Sequence, residues 1–404
     1  MPIPPDPTDP GAIPPSPTFP GVWVEESPAG PPALRTGPDA LSAGFVGPTP
    51  AGPLEGPPPL LTSLRDYERV YGDGRPLVYA GQSVPNRMWW AARTFFAEGG
   101  QRLRVARVHR PDPTPGTIGG DGLLPTPADY AGAAGLPRLD ALEDVAWLAA
   151  PDVAVADLPA LHDLLLAHAR RRPGVARERL ALLDGAPDAS VADLQALRRR
   201  LDGRCAALYH PWFETAGPDP VRLAPSPLVA GLMARIDRAQ GPWATPVDRT
   251  RQAVGGRSPV LSLADQRQLI AIGINLLVDA APGRRILGAG TLSSDPNWRD
   301  IGFCRGMAVL QAAIERDLGW TAFEACDDAL WARVRNSIEA PLHQAWRLGA
   351  FPGSTTDAAF FVRCDRTTMT QADIDAGRLI VRLGVAPLKP AEFVVLQLEL
   401  RTAA

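Results

Sequence analysis

Apolar positions divide this chain into a proline-broken start, a middle where short apolar runs alternate with amphipathic stretches, and a strand-rich end. Runs at 145–149, 180–183 and 206–209 predict strands, and the stretches 158–171 and 191–201 between them predict helices. Strand, helix, strand, helix, strand is the pattern of parallel sheet with right-handed crossovers. Upstream, Ser63 and Asp66 open a predicted helix running to Tyr71, a second helix spans 86–98 before Gly99-Gly100, and 103–108 reads as a strand. Downstream, a helix is predicted at 263–270, strands at 274–278 and 286–292, and helices at 304–317 and 327–348. In the last of these Leu330, Val334, Ile338 and Leu342 recur at four-residue spacing, and Pro341 is expected to kink the helix. Strands at 360–364, 379–385 and 393–400 close the pattern.

The two ends differ from the middle. Residues 1–60 hold nineteen of the 45 prolines, and proline fixes φ and lacks an amide hydrogen, so an extended arm is expected there, with neither helix nor central strand. Its one strand-like island is Phe19–Glu26, where Val22 and Val24 share a face and Trp23 points the other way. The final strand carries Phe393, Val394, Val395, Leu396, Leu398 and Leu400 with almost nothing after it, so it is free to leave its own domain. The fold class is therefore α/β, a mixed sheet core with flanking helices and extended N- and C-terminal strand arms. The expected division is an arm and lead-in over 1–60, a first part of the core over 61–110, an exposed mobile loop over 111–137, an α/β middle over 138–290, a C-terminal domain over 291–390 and a strand arm over 391–404.

Composition narrows the function. The 404 residues, 45% hydrophobic, are enough for one large core or two modest ones. Forty-one basic against 44 acidic residues leave a formal charge of −3, which gives nucleic acid or an anionic membrane nothing to select. Lys389 is the single lysine, which reflects a coding bias toward arginine. The four cysteines have no metal-binding or disulfide spacing, no secretory signal opens the chain, and no eighteen apolar residues run together, so a cytosolic protein without membrane insertion is expected.

Catalytic signatures fail on their own requirements. Gly288-Ala289-Gly290 begins a dinucleotide turn, but Ser293 stands where the third glycine belongs. The five histidines are scattered and do not converge as metal ligands would. Asp327-Asp328 reads as a helix N-terminus, and Asp373 with Asp375 as a turn. No cofactor, metal or enzymatic activity is expected.

Specific runs nevertheless resemble a known family. Ala329–Arg335, Phe360–Asp365, Thr368–Ile380 and Val385–Val394 look like the C-terminal domain of contractile-tail sheath proteins. Phe19–Glu26, Leu208–Trp212 and Gly273–Asn275 are similar to earlier segments of that family, and the compact length is most similar to sheaths of extracellular contractile injection systems. The resemblance implies a structural subunit that stacks as rings around an inner tube, linked by strand exchange of its arms, and contracts. The implied partners are further copies of the chain, the inner tube protein, baseplate and terminator proteins, and sheath paralogues. The implied arm residues are Val22, Trp23 and Val24 at one end and Phe393 to Leu400 at the other. Arg333, Arg335, Asp373 and Asp375 are the candidate tube-facing residues.

The chain departs from the family pattern at Leu287–Gly290 and Gly302–Gly306, which suggests a specialised paralogue used at one layer. A sheath-like baseplate or tail-terminator adaptor forming a single ring is the alternative.

Overall fold

β1 (Ser42–Pro48) is the first element described, in a computed structural model that covers residues 41–79, 81–110, 123–152, 155–170, 178–216, 218–247, 258–280, 283–387 and 392–402. Then come α1 (Leu64–Tyr71), a hairpin of β2 (Leu77–Tyr79) and β3 (Gln82–Val84), α2 (Arg87–Glu98), β4 (Leu103–Val108), α3 (Pro127–Ala131) and β5 (Val145–Ala149). The crossover units continue with α4 (Leu158–Ala169), β6 (Leu180–Asp184), α5 (Val191–Arg200) and β7 (Ala206–His210). A small hairpin of β8 (Phe213–Glu214) and β9 (Arg222–Leu223) leads to α6 (Ser226–Gln240), α7 (Leu263–Ala271), β10 (Ile274–Asp279) and β11 (Arg284–Leu287). The C-terminal region holds α8 (Ile301–Asp317), α9 (Asp328–Arg347), α10 (Thr356–Ala359), β12 (Phe360–Arg363), α11 (Gln371–Asp375), β13 (Arg378–Val385) and β14 (Val394–Arg401).

One seven-stranded sheet, in the order β11-β10-β7-β6-β5-β1-β4, runs through the first region and is parallel except for the β10–β11 hairpin. Successive side chains point to opposite faces. Phe45, Trp147, Leu182 and Tyr209 pack with α1, α2 and α6 on one side, and Val46, Leu148, Leu183 and Leu208 pack with α3, α4, α5 and α7 on the other. Helices on both faces explain why β6 is apolar on both of its own.

Three expectations are corrected. The proline-rich start contributes a central strand: β1 lies between β4 and β5, because residues 39–47 are free of proline and Pro48 falls on the last strand position. In the expected exposed loop over 111–137, the described residues from Leu123 onward include a short helix, with Thr126 and Asp129 in a capping box, Pro127 in the first turn of α3, and Tyr130 and Leu136 buried. The strand expected over 286–292 ends at Leu287, where Gly288 turns to a φ of 88°. Residues 1–60, 61–110 and 138–290 thus each contribute strands to one sheet.

The first part of α6 is enclosed on every side, Ser226 to Ala234 all being buried, so no apolar stripe marks it out. Gly231 lets it close on α2, since a Cβ there would lie 2.5 Å from the Phe95 carbonyl oxygen. The proline-rich lead-in after β1 is held by arginine. Arg138 donates to the carbonyls of Pro53, Glu55 and Gly56, Arg107 to Gly52 and Arg104 to Pro58. Such a segment has few amides with which to pair its own carbonyls, so side-chain donors satisfy them.

Candidate assembly interface

The C-terminal region has its own core. α8 and α9 supply Met307, Leu310, Leu330, Val334, Ile338 and Leu342 to the inner face of a three-stranded antiparallel sheet, in the order β12-β13-β14. α9 continues from Asp328 to Arg347 through the buried Pro341. β13 contributes Leu379, Val381, Leu383 and Val385 to this core, and β14 pairs along its full length, from Val385 opposite Val394 to Arg378 opposite Arg401.

The final strand therefore lies against its own β13. Val394 and Leu398 are buried, Leu396 and Leu400 pack on the same core, and Val395, Gln397, Glu399 and Arg401 face the other way. Phe393 stacks edge-on against Phe361, with ring centroids 5.1 Å apart. β14 is nonetheless a rim strand, and among the described residues no strand pairs with its outer edge. A row of unpaired N–H and C=O groups on an apolar strand is a template for strand addition. Val22, Trp23 and Val24 lie outside the described residues.

The outer face of this sheet carries a feature missed at the sequence level. Arg363 stands directly opposite Arg382, and Arg378 opposite Arg401, all four exposed. Beside them the Phe361 ring covers Gly384, where a Cβ would meet it at 2.2 Å. The register of three strands is needed to see these pairs, since the residues are spread from 361 to 401.

The four candidate tube-facing residues fall into two local sets. Arg333 pairs with Glu324 at 2.8 Å and lies over the Trp320 ring. Arg335, one turn earlier than Glu339 on α9, acts electrostatically on Cys364 and Asp365. Asp373 completes the capping box of α11 and pairs with Arg378 at 2.6 Å; the hydrogen bonds from Thr370 hold its carboxyl below the usual range. Asp375 accepts from Gln371 at 2.8 Å.

Asp237 on α6 and Arg305 on α8 form a buried ion pair that ties the two regions together. Burial pushes the Cys205 and Cys364 thiols up to about 12 and holds His162 and His210 down at about 4, so these groups are neutral near pH 7. Among the described residues there is no group of three or more His, Cys, Asp or Glu placed to hold a metal ion, and no helix long and apolar enough to cross a membrane.

Residues 293–401, which span the C-terminal core and its sheet, match the family model of the phage tail sheath C-terminal domain. Over that region the chain is a tail-sheath homologue. A chain from the baseplate of the anti-feeding prophage (AFP), 6-fold symmetrised, is 26% identical with a TM-score of 0.69, over 95% of this chain and 99% of that one. A chain of the AFP helical sheath in its contracted state is 25% identical, with the same TM-score and coverage. The sheath complex of an extracellular contractile injection system, PVC, also contracted, shares the fold at 22% identity and a TM-score of 0.67, over 95% of this chain and 98% of that one. No curated protein matches the chain in sequence. The mixed α/β architecture is that of sheath proteins, and the homologues are components of contractile particles.

Proposed function

We propose that this sheath homologue is a structural subunit that polymerises as stacked rings around an inner tube and contracts to drive that tube through a target envelope. It carries no catalytic role. Assembly takes place in the cytoplasm, on baseplate and inner tube proteins and up to a terminator, before any release of the particle.

The outer rim of β14 is the observation that carries this reading. Backbone hydrogen bonds along such a rim give affinity, and alternating side chains give register. Residues 19–26 are the strand that fills it, supplied by a neighbouring copy. β14 can itself be exchanged, because its pairing with β13 is the same set of contacts whether both strands come from one chain or two. Its inward side chains Val394, Leu396, Leu398 and Leu400 are worth about 1.5–3 kcal/mol each before ordering costs. Work is stored in two packings of the same subunits, the extended one metastable.

Deleting residues 1–26 tests the linkage without touching any described residue. The truncated chain is expected to keep its circular dichroism spectrum and to form no striated hollow cylinders in negative-stain images, while the full chain forms them. Cylinders assembled by the truncated chain would refute strand supply from the N-terminal arm. The single-ring adaptor is a second reading, supported by the AFP baseplate chain being among the most similar relatives. Copies per particle, counted by quantitative mass spectrometry, separate the two: one ring's worth for an adaptor, many rings' worth for the bulk sheath.

A further inference from the structure

A cleft of about 460 Å³ opens beside the start of β10. The end of α5 contributes Arg198 and Arg199, the stretch between β11 and α8 contributes Ser293 and Arg299, and Gly273 and Gly290 make the floor. Gly273 has a φ of 86°, and a Cβ on Gly290 would lie 2.9 Å from the Gly273 Cα, so glycine at both places is what lets the two loops touch.

Among the described residues the three guanidinium groups are bonded to backbone carbonyls and not to carboxylates. Arg198 donates from Nε to the Ile272 carbonyl at 2.8 Å and from Nη1 to the Leu201 carbonyl at 2.7 Å. Among the described residues Arg199 donates to the Gln195 carbonyl at 3.3 Å and Arg299 to the Ser294 carbonyl at 3.3 Å. None of the three has a carboxylate partner within salt-bridge distance among the described residues. Asp202 is the acid that acts on Arg198, and its oxygens accept from the Ser294 amide at 2.7 Å and hydroxyl at 3.2 Å. Burial is the main reason Arg198 holds its proton less tightly; Asp202 opposes that shift, and the charge of Arg299 adds a smaller push in the same direction as burial.

We propose that this cleft binds a phosphate-bearing small anion, gripped by Arg198, Arg199 and Arg299. Three positive groups against one carboxylate leave two uncompensated charges, which one phosphoryl group, carrying about two negative charges near neutral pH, matches and a single carboxylate does not. Planar guanidinium donors suit phosphoryl oxygens, and Arg198 is already oriented by its two carbonyl bonds. The volume is that of a small-molecule site, larger than phosphate alone, so the anion carries a further part beyond its phosphoryl group. A bound anion joins α5 to the lead-in of α8 and so clamps the sheet region to the C-terminal region.

Inorganic pyrophosphate is the probe, titrated calorimetrically into the full chain at about 0.15 M salt so that loose surface attraction is screened. Expected are saturable binding at one site and a raised melting temperature. The double variant R199Q/R299Q is expected to bind at least about tenfold more weakly while melting as the parent does without ligand, and R199K/R299K to recover part of the affinity. Arg198 is left in place because it holds two carbonyls. Three outcomes would overturn the proposal: no heat of binding, affinity unchanged in R199Q/R299Q, or the same rise in melting temperature from sodium chloride at equal ionic strength. Tighter binding of a short polyglutamate peptide than of pyrophosphate would also overturn it, by assigning the cleft to an acidic protein segment.

Discussion

Asp184 ends β6 with its carboxyl buried beneath the start of α6, where Ser226 donates its amide at 2.9 Å and its hydroxyl at 2.6 Å. Those two bonds favour the ionised form, but burial outweighs them and raises the group from 3.8 to about 7. A carboxyl raised on folding keeps a proton that the unfolded chain releases. Its stabilising contribution is thus complete below about pH 4 and is lost as pH climbs through about 7. His162 and His210, held down at about 4, work in the opposite sense: the unfolded chain takes up protons that they refuse, and stability falls as pH drops from 6.5 toward 4. Comparing the parent with D184N isolates the carboxyl, because asparagine can bond Ser226 at any pH without titrating. The urea midpoint of the parent is expected to fall relative to D184N between about pH 4 and 7.5. Parallel curves for the two proteins would mean that Asp184 is ionised in the folded chain.

At the scale of elements, β13 carries a cost that the described residues relieve only in part. Arg382 faces Arg363 across one ladder, and Arg378 faces Arg401 across the other; like charges directly opposite weaken a sheet. Arg378 has Asp373 beside it, and Arg363 lies over the Phe361 ring, but Arg382 is given neither kind of neighbour among the contacts of the described residues. Replacing it with threonine, a good strand former, is expected to stabilise the chain by about 0.2–1 kcal/mol in urea denaturation. A loss of stability would show that Arg382 has a compensating contact. Which elements were legible follows from the same physics. The crossover strands and helices from 145 to 210 could be read because short continuous apolar runs alternate there with helix-length stretches, and the resemblance of 329–394 to sheath domains rested on contiguous runs. β1 was hidden because proline density was averaged over sixty residues, although the strand fits between Pro38 and Pro48. α6 was hidden because its first nine residues are buried on every side and show no apolar stripe. The arginine cleft and the opposed arginine pairs were beyond reach, since neither exists until distant segments are brought into register.

For the whole molecule, the question is whether β14 is part of the C-terminal core or a guest in it. The seven-stranded sheet is enclosed by its own two helical layers, while the C-terminal core relies on β13, α8 and α9 with β14 completing one side. The sequence alone cannot decide this, because the alternation of Val394, Leu396, Leu398 and Leu400 fits a strand paired at home and a strand paired with a neighbour equally well. A strand that merely visits can be removed without harm, and a truncation lacking residues 392–404 would then be a folded, assembly-defective monomer. The burial of Val394 and Leu398 argues for a heavier consequence. Removing four inward apolar side chains and a full ladder uncovers β13 and takes away several times the roughly 1.5–3 kcal/mol of each, comparable to the entire stability of a small domain. Hydrogen exchange on that truncation is therefore expected to leave the amides of β5, β6 and β7 protected while those of β12 and α9 exchange freely. Protection of β12 and α9 equal to that in the full chain would instead make β14 a loosely held arm. The first result implies that exchange between subunits proceeds only when a second copy supplies the replacement strand, so that the C-terminal core is never left open.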